Sequence, residues 1–182
     1  LEAAHKNAPD DPDLAARLAD QLYRRDRAGE ARKLADAALK AKPGHPLASV
    51  VKARLLSRAG DEDAAKGARE AALKADPDEP RLLTALARLH TEAKDFAAAA
   101  KLLEHGRRVA PLDGTWLEQL ARVYKQTGET DKLMSVLAEV VASDPDELDG
   151  RVRLARTALE AGKLADAERY ARDAVQIDVN ST

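Results

Sequence analysis

Residues 46–79 read PLASVVKARLLSRAGDEDAAKGAREAALKADPDE, and residues 80–113 read PRLLTALARLHTEAKDFAAAAKLLEHGRRVAPLD. Laid one over the other, the two stretches agree in punctuation and in small residues without a gap. Each opens on a proline (Pro46, Pro80) and carries another near its end (Pro77, Pro111). Working outward, Pro43, Pro77, Pro111 and Pro145 stand 34 residues apart, and one further step back meets Pro9. A fixed period of this length is one supersecondary unit copied along the chain.

The frame divides the sequence into 12–45, 46–79, 80–113, 114–147 and 148–181, preceded by residues 1–11, which end an earlier unit. Small residues hold three places. The eighth position reads Ala19, Ala53, Ala87, Ala121 and Ala155; the twentieth reads Ala31, Ala65, Ala99, Leu133 and Ala167. The twenty-seventh reads Ala38, Ala72, Gly106, Val140 and Ala174. One small position in the first half and two in the second let two helices approach closely, with Leu18, Leu86, Leu120 and Leu154 filling between them. Pro12, Pro46 and Pro80 suit the first turn of a helix, where the missing N–H is no loss. Asp11, Asp78 and Asp146 are expected to cap those turns. Gly60, Gly128 and Gly162 mark the turn between paired helices. The proline near each unit's end stops the second helix.

These positions together resemble the tetratricopeptide repeat. The resemblance covers the whole chain and implies an all-α, right-handed superhelical solenoid of tandem helix-turn-helix repeats. The 35-residue RNA-binding repeat family does not fit the period. Three departures stand out: Trp116 lies one place from the expected early aromatic, Lys52 stands where other units have Leu, and Arg69 stands where units three and four have Leu. Val179 replaces the last proline. Lys52 and Arg69 are expected to weaken packing in residues 46–79 and to speed amide exchange there.

Composition narrows the function. The 182 residues carry a net charge of −2 and 34 % charged side chains of both signs, so nothing draws the chain toward nucleic acid. With aromatics at 3 %, stacking platforms for bases are also missing. There is no cysteine, hence no disulfide or thiolate site, and the compartment stays open. No apolar stretch approaches the roughly 18 residues of a membrane helix, so membrane insertion is not expected. Because the sequence starts at Leu1 inside a repeat, it reads as a piece of a longer protein, and a further reading is an accessory domain of a larger enzymatic or envelope-associated parent.

Catalytic patterns are absent. His5, His45, His90 and His105 have no H-E-x-x-H spacing, and neither G-x-S-x-G nor G-x-x-x-x-G-K occurs. His90 is read as a packed interhelical side chain and His45 as an ordinary loop residue. Asp76, Asp78 and Glu79 recur as Asp144, Asp146 and Glu147, which marks them as inter-repeat loops and not a cation site. No enzyme activity, cofactor or metal is expected.

The ninth position reads Asp20, Arg54, Arg88, Arg122 and Arg156. The resemblance implies that first helices line a concave face and that this position points into it, so Arg54, Arg88, Arg122 and Arg156 form a ladder joined by Arg58, Arg81 and Arg153. Val50 and Val51, with Leu47, are expected to add an apolar patch beside Arg54. The rigid fork of a guanidinium suits carboxylates, so the expected partner is a protein or peptide segment carrying acidic groups. Against this, Arg88–Glu92, Arg122–Glu118 and Arg156–Glu160 are four residues apart and can neutralise one another, which leaves Arg54 as the least compensated. The chaperone-tail clamp of the family is absent, since its places hold Ala16, Asp20, Val51, Arg81 and Ala85. The leading reading is a non-catalytic protein-interaction scaffold. The second is self-association, a homo-oligomer through terminal repeats, because Ala167, Tyr170, Ala171 and Val175 leave the last helix with an apolar face.

Overall fold

Caps and turns lay out the helices. A computed structural model describes residues 2–144 and 148–180 as eleven helices, with the expected Pro145 and Asp146 lying outside the described residues. The chain divides into two units, residues 1–93 and 94–182.

The first unit holds α1 (Glu2–Asn7), α2 (Pro12–Arg24), α3 (Ala28–Ala41), α4 (Pro46–Arg58), α5 (Glu62–Ala75) and α6 (Pro80–Glu92). Asp11 caps α2 as expected, accepting from the backbone N–H of Asp13 at 2.8 Å and of Leu14 at 3.2 Å. At α6 the cap is Glu79, not Asp78, because Glu79 directly precedes Pro80 and its longer side chain reaches the N–H of Leu82. His45 is more than a loop residue. It is 4 % exposed, its Nδ1 accepts from the Ala48 N–H at 3.3 Å, and its Nε2 lies 2.9 Å from Asp13 of α2. With Nδ1 accepting, Nε2 donates to Asp13, and this bond holds the Asp13 carboxyl below its usual value. One imidazole thereby caps α4 and ties it to α2.

The helices of this unit pack as neighbours along the chain, and α4 also lies against both α2 and α6. Their core is made of small pieces. Leu18, Ala19, Leu22, Ala31, Ala35, Val51 and Leu55 form one cluster, and Ala15, Ala16, Ala38 and Ala48 form another. Alanines on one helix admit the leucines of the next, which removes apolar surface from water without long side chains.

The second unit holds α7 (Phe96–Val109), α8 (Thr115–Thr127), α9 (Thr130–Ser143), α10 (Leu148–Glu160) and α11 (Leu164–Asn180). Helix α7 packs on α8, α8 on α9, α9 on α10 and α10 on α11. Trp116 is fully buried at the start of α8. It fits because Gly106 of α7 has no side chain: a Cβ built there would stand 2.4 Å from the indole ring. Helix α11 runs for 17 residues, where α3, α5, α7 and α9 each run for 14. Nothing at Val179 interrupts it as a proline would.

The turn between paired helices always places one residue in the left-handed region. Gly60, Gly128 and Gly162 do so at φ 80°, 72° and 72°, and Asp26 and Lys94 do so at 61° and 60°. The same turn is therefore made at two places by residues with a Cβ, each strained by roughly 1–2 kcal/mol relative to glycine.

Candidate partner-binding groove

Because α4 packs against α2 on one side and α6 on the other, the C-terminal halves of these helices border a groove of about 620 Å³. Its lining comes from Tyr23 of α2, Ala53, Arg54, Ser57 and Arg58 of α4, Glu62 and Arg69 of α5, and Leu89, Glu92 and Ala93 at the end of α6. Three guanidinium groups and two carboxylates thus share one depression within residues 1–93.

The acids are already engaged. Arg54 Nη2 donates to both oxygens of Glu92 at 2.9 Å, and Arg88 Nε donates to Glu92 Oε1 at 2.9 Å. Burial pushes the Glu92 carboxyl up, but the bonds and charge of Arg54, followed by those of Arg88, outweigh it and hold the group below the usual carboxylate range. Ser57 Oγ donates to Glu62 at 3.2 Å. Arg58 pairs with Asp26 at 2.7 Å and lies 6.0 Å from the Tyr23 ring centroid.

The donors are not all engaged. Arg54 bonds through Nη2 alone, so its Nε and Nη1 have no partner among the described residues. Arg69 has no hydrogen-bond partner there, although its Nε is shut off from solvent. It comes from the twenty-fourth repeat position, where Leu103 and Leu137 are 1 % exposed. Reading first helices for a ladder overlooks Arg69 as a groove residue, since it stands on a second helix. Its departure from leucine was the available signal.

Other expectations need correction. Arg54 is not the least compensated: its partner Glu92 is 38 residues away on the adjacent first helix, a distance that counting by fours along one helix cannot see. Arg88–Glu92 forms, but Glu118 is taken by Arg153, whose Nη1 lies 3.1 and 3.2 Å from its oxygens. Arg122 and Arg156 are exposed and make no ion pair among the described residues, and Arg81 is likewise exposed. Val50 and Val51 do not form an open patch. Val51 is fully buried among Leu18, Leu22 and Leu55, and Val50 is 7 % exposed, because the packing of α4 on its neighbours encloses them. Arg54 and Arg88 belong to residues 1–93, and Arg122, Arg153 and Arg156 to residues 94–182. At the last helix, Ala167 is buried, whereas Val175 is 62 % exposed.

A family model described as Tetratricopeptide repeat matches residues 22–89 and 56–117, together more than half of the sequence. The chain belongs to the tetratricopeptide repeat family. Its all-α fold of tandem helical hairpins is shared with solved structures. MamA (41-end) from Desulfovibrio magneticus RS-1 is similar at 17 % identity over 93 % of this chain and 96 % of that one, TM-score 0.61. YrrB, described as a TPR protein with an unusual peptide-binding site, is 19 % identical over 97 % of this chain and 91 % of that one, TM-score 0.61. PilF of Pseudomonas aeruginosa is 17 % identical over 91 % of this chain and 75 % of that one, TM-score 0.61. Among curated proteins none matches. Tetratricopeptide repeats are protein-interaction scaffolds in general. No helix among the described residues is long and apolar enough to cross a membrane.

Proposed function

We propose that the chain is a non-catalytic scaffold, built of repeats at 12–45, 46–79, 80–113, 114–147 and 148–181, that holds an acidic protein segment in the groove bordered by α2, α4 and α6. The observation that carries this reading is the surplus of guanidinium donors there: Glu62 and Glu92 are bonded, while among the described residues Nε and Nη1 of Arg54 and the whole guanidinium of Arg69 meet no acceptor. A carboxylate entering from a partner would satisfy them with charge-assisted bonds. Selection of random 12-residue peptides against the immobilised chain tests the reading. Recovered peptides rich in Asp and Glu, whose binding is lost to the double variant R54E/R88E, are expected. Peptides without acidic enrichment, or binding unchanged by that variant, would remove it.

Self-association is the second reading, and one observation favours it. Among the described residues, five of the seven exposed large hydrophobic side chains (Leu148, Val152, Leu159, Leu164 and Val175) stand on α10 and α11. Light scattering at rising concentration decides: a strict monomer excludes it.

A further inference from the structure

We infer that Arg69 is the specificity-determining residue of the groove, receiving one acidic side chain of a segment that continues past it in both directions. This rests on the acidic-segment reading and adds which residue reads the acid and what kind of acid it is.

Arg69 reverses what its position does elsewhere. Leu103 and Leu137 at the same repeat position are closed off from solvent, so an aliphatic side chain suits the site and packs without loss. An arginine there buries an Nε–H that no acceptor among the described residues meets. A buried donor left without a partner forfeits its bonds to water, so this side chain is a liability in the free chain. Its outer Nη1 and Nη2 groups, which meet no acceptor among the described residues, line the groove and form a fork matching the two oxygens of a carboxylate, so an entering acid engages the guanidinium there. The nearest acids in the groove do not fill that role, since Glu92 is held by Arg54 and Arg88 and Glu62 accepts from Ser57.

The surroundings say which carboxylate. Helix α4 is flanked by α2 and α6, and the groove carries Tyr23 from the former and Leu89 from the latter, with Arg54 and Arg69 contributed between them. Leu89 is closed off at 8 % exposure, so the apolar surface open to an occupant is that of Tyr23. A segment laid between α2 and α6 runs past the arginines, which suits an Asp or Glu inside it, beside an apolar residue for Tyr23, better than a chain end.

Peptides selected from the random 12-residue library are fluorescently labelled, amidated at the C-terminus and titrated against the whole chain and R69L. Leucine is chosen because the fold accommodates it at 103 and 137, and circular dichroism checks that R69L is folded. Binding weakened at least tenfold by R69L is expected. Replacing the peptide's critical Glu by Gln should cost the same factor on the wild type and almost nothing further on R69L. Equal affinity for both proteins, or a Glu→Gln loss that persists undiminished in R69L, overturns the inference while leaving the scaffold reading in place. Binding only by peptides with a free C-terminal carboxylate overturns the internal-acid assignment. A library that yields no binder overturns both.

Discussion

Helices α2–α5 and α7–α9 follow the same 34-residue frame, yet they close their interiors by opposite means. The first set relies on alanine: Ala19, Ala31, Ala35, Ala38, Ala48, Ala53, Ala65 and Ala72 are all buried. The second relies on bulk, with Leu103, Trp116, Leu120, Tyr124 and Leu137 enclosed. The twenty-fourth position condenses the contrast, reading Ala35 and Arg69 in one set and Leu103 and Leu137 in the other. A fixed backbone period constrains spacing and leaves each place free to be filled by volume or by chemistry. Where volume fills it, the result is a close contact; where an arginine fills it, a donor is left without a partner among the described residues.

The largest expected effect probes the bulky side. Gly106→Ala would ordinarily favour a helix by about 1 kcal/mol, but its Cβ meets the Trp116 ring at 2.4 Å. The clash should win and destabilise residues 94–182 by about 1–3 kcal/mol, read from a urea midpoint. The double variant G106A/W116L should recover part of the loss. A stabilised G106A would show that Trp116 has room to move and would break the contrast.

On the other side, Arg69→Leu should make residues 46–79 more stable by about 1–2 kcal/mol, since an unmet buried donor is replaced by a side chain the fold already seats elsewhere. Amide exchange across α5 reports it: in the wild type this repeat should exchange fastest among the internal ones, and R69L should slow it. Fast exchange retained in R69L would place the weakness elsewhere.

Lys94→Gly removes the Cβ from a left-handed residue at φ 60°. Allowing for the greater freedom of glycine in the unfolded chain, a gain of about 0.5–1 kcal/mol is expected in thermal unfolding. A loss instead would mean that the Lys94 side chain contributes more than its backbone strain removes.

The two sets should also differ in pH response. Glu92, in residues 1–93, has its folded value lowered, so its contribution is present above the ordinary carboxylate range and disappears as pH falls through the lowered value. Tyr124, in residues 94–182, is pushed up to about 12 by burial and by Glu104, which accepts its hydroxyl at 3.1 Å. Its contribution is complete below its ordinary value of 10.0 and disappears as pH rises toward about 12. Circular dichroism titrations of E92Q and Y124F should lose the acid and alkaline components respectively. Identical titrations for wild type and variants would show that neither group matters to folding.

Much of this was legible along the chain. The prolines that open α2, α4 and α6, the acid Asp11 before α2, the left-handed glycines and the small residues at fixed places are local or periodic signals, each acting within a few residues of itself. The candidate site was legible only in part. Arg54 and Arg58 were named and do line the groove, while Arg69 was seen as a packing defect. That it lines the groove depends on α5 packing against both α4 and α6, which spacing alone does not reveal. His45 was missed for the same reason, because its partner Asp13 lies 32 residues away.

By itself the sequence determined the period, the helical class and the close approach of paired helices, because propensity, capping and small side chains act over a turn or two of chain. Only the tertiary structure decided which charges meet: Arg54 with Glu92, Arg153 with Glu118, Arg69 with no partner among the described residues. Ion pairs and unmet donors are set by distances between side chains from different helices, and those distances exist only once the helices are stacked.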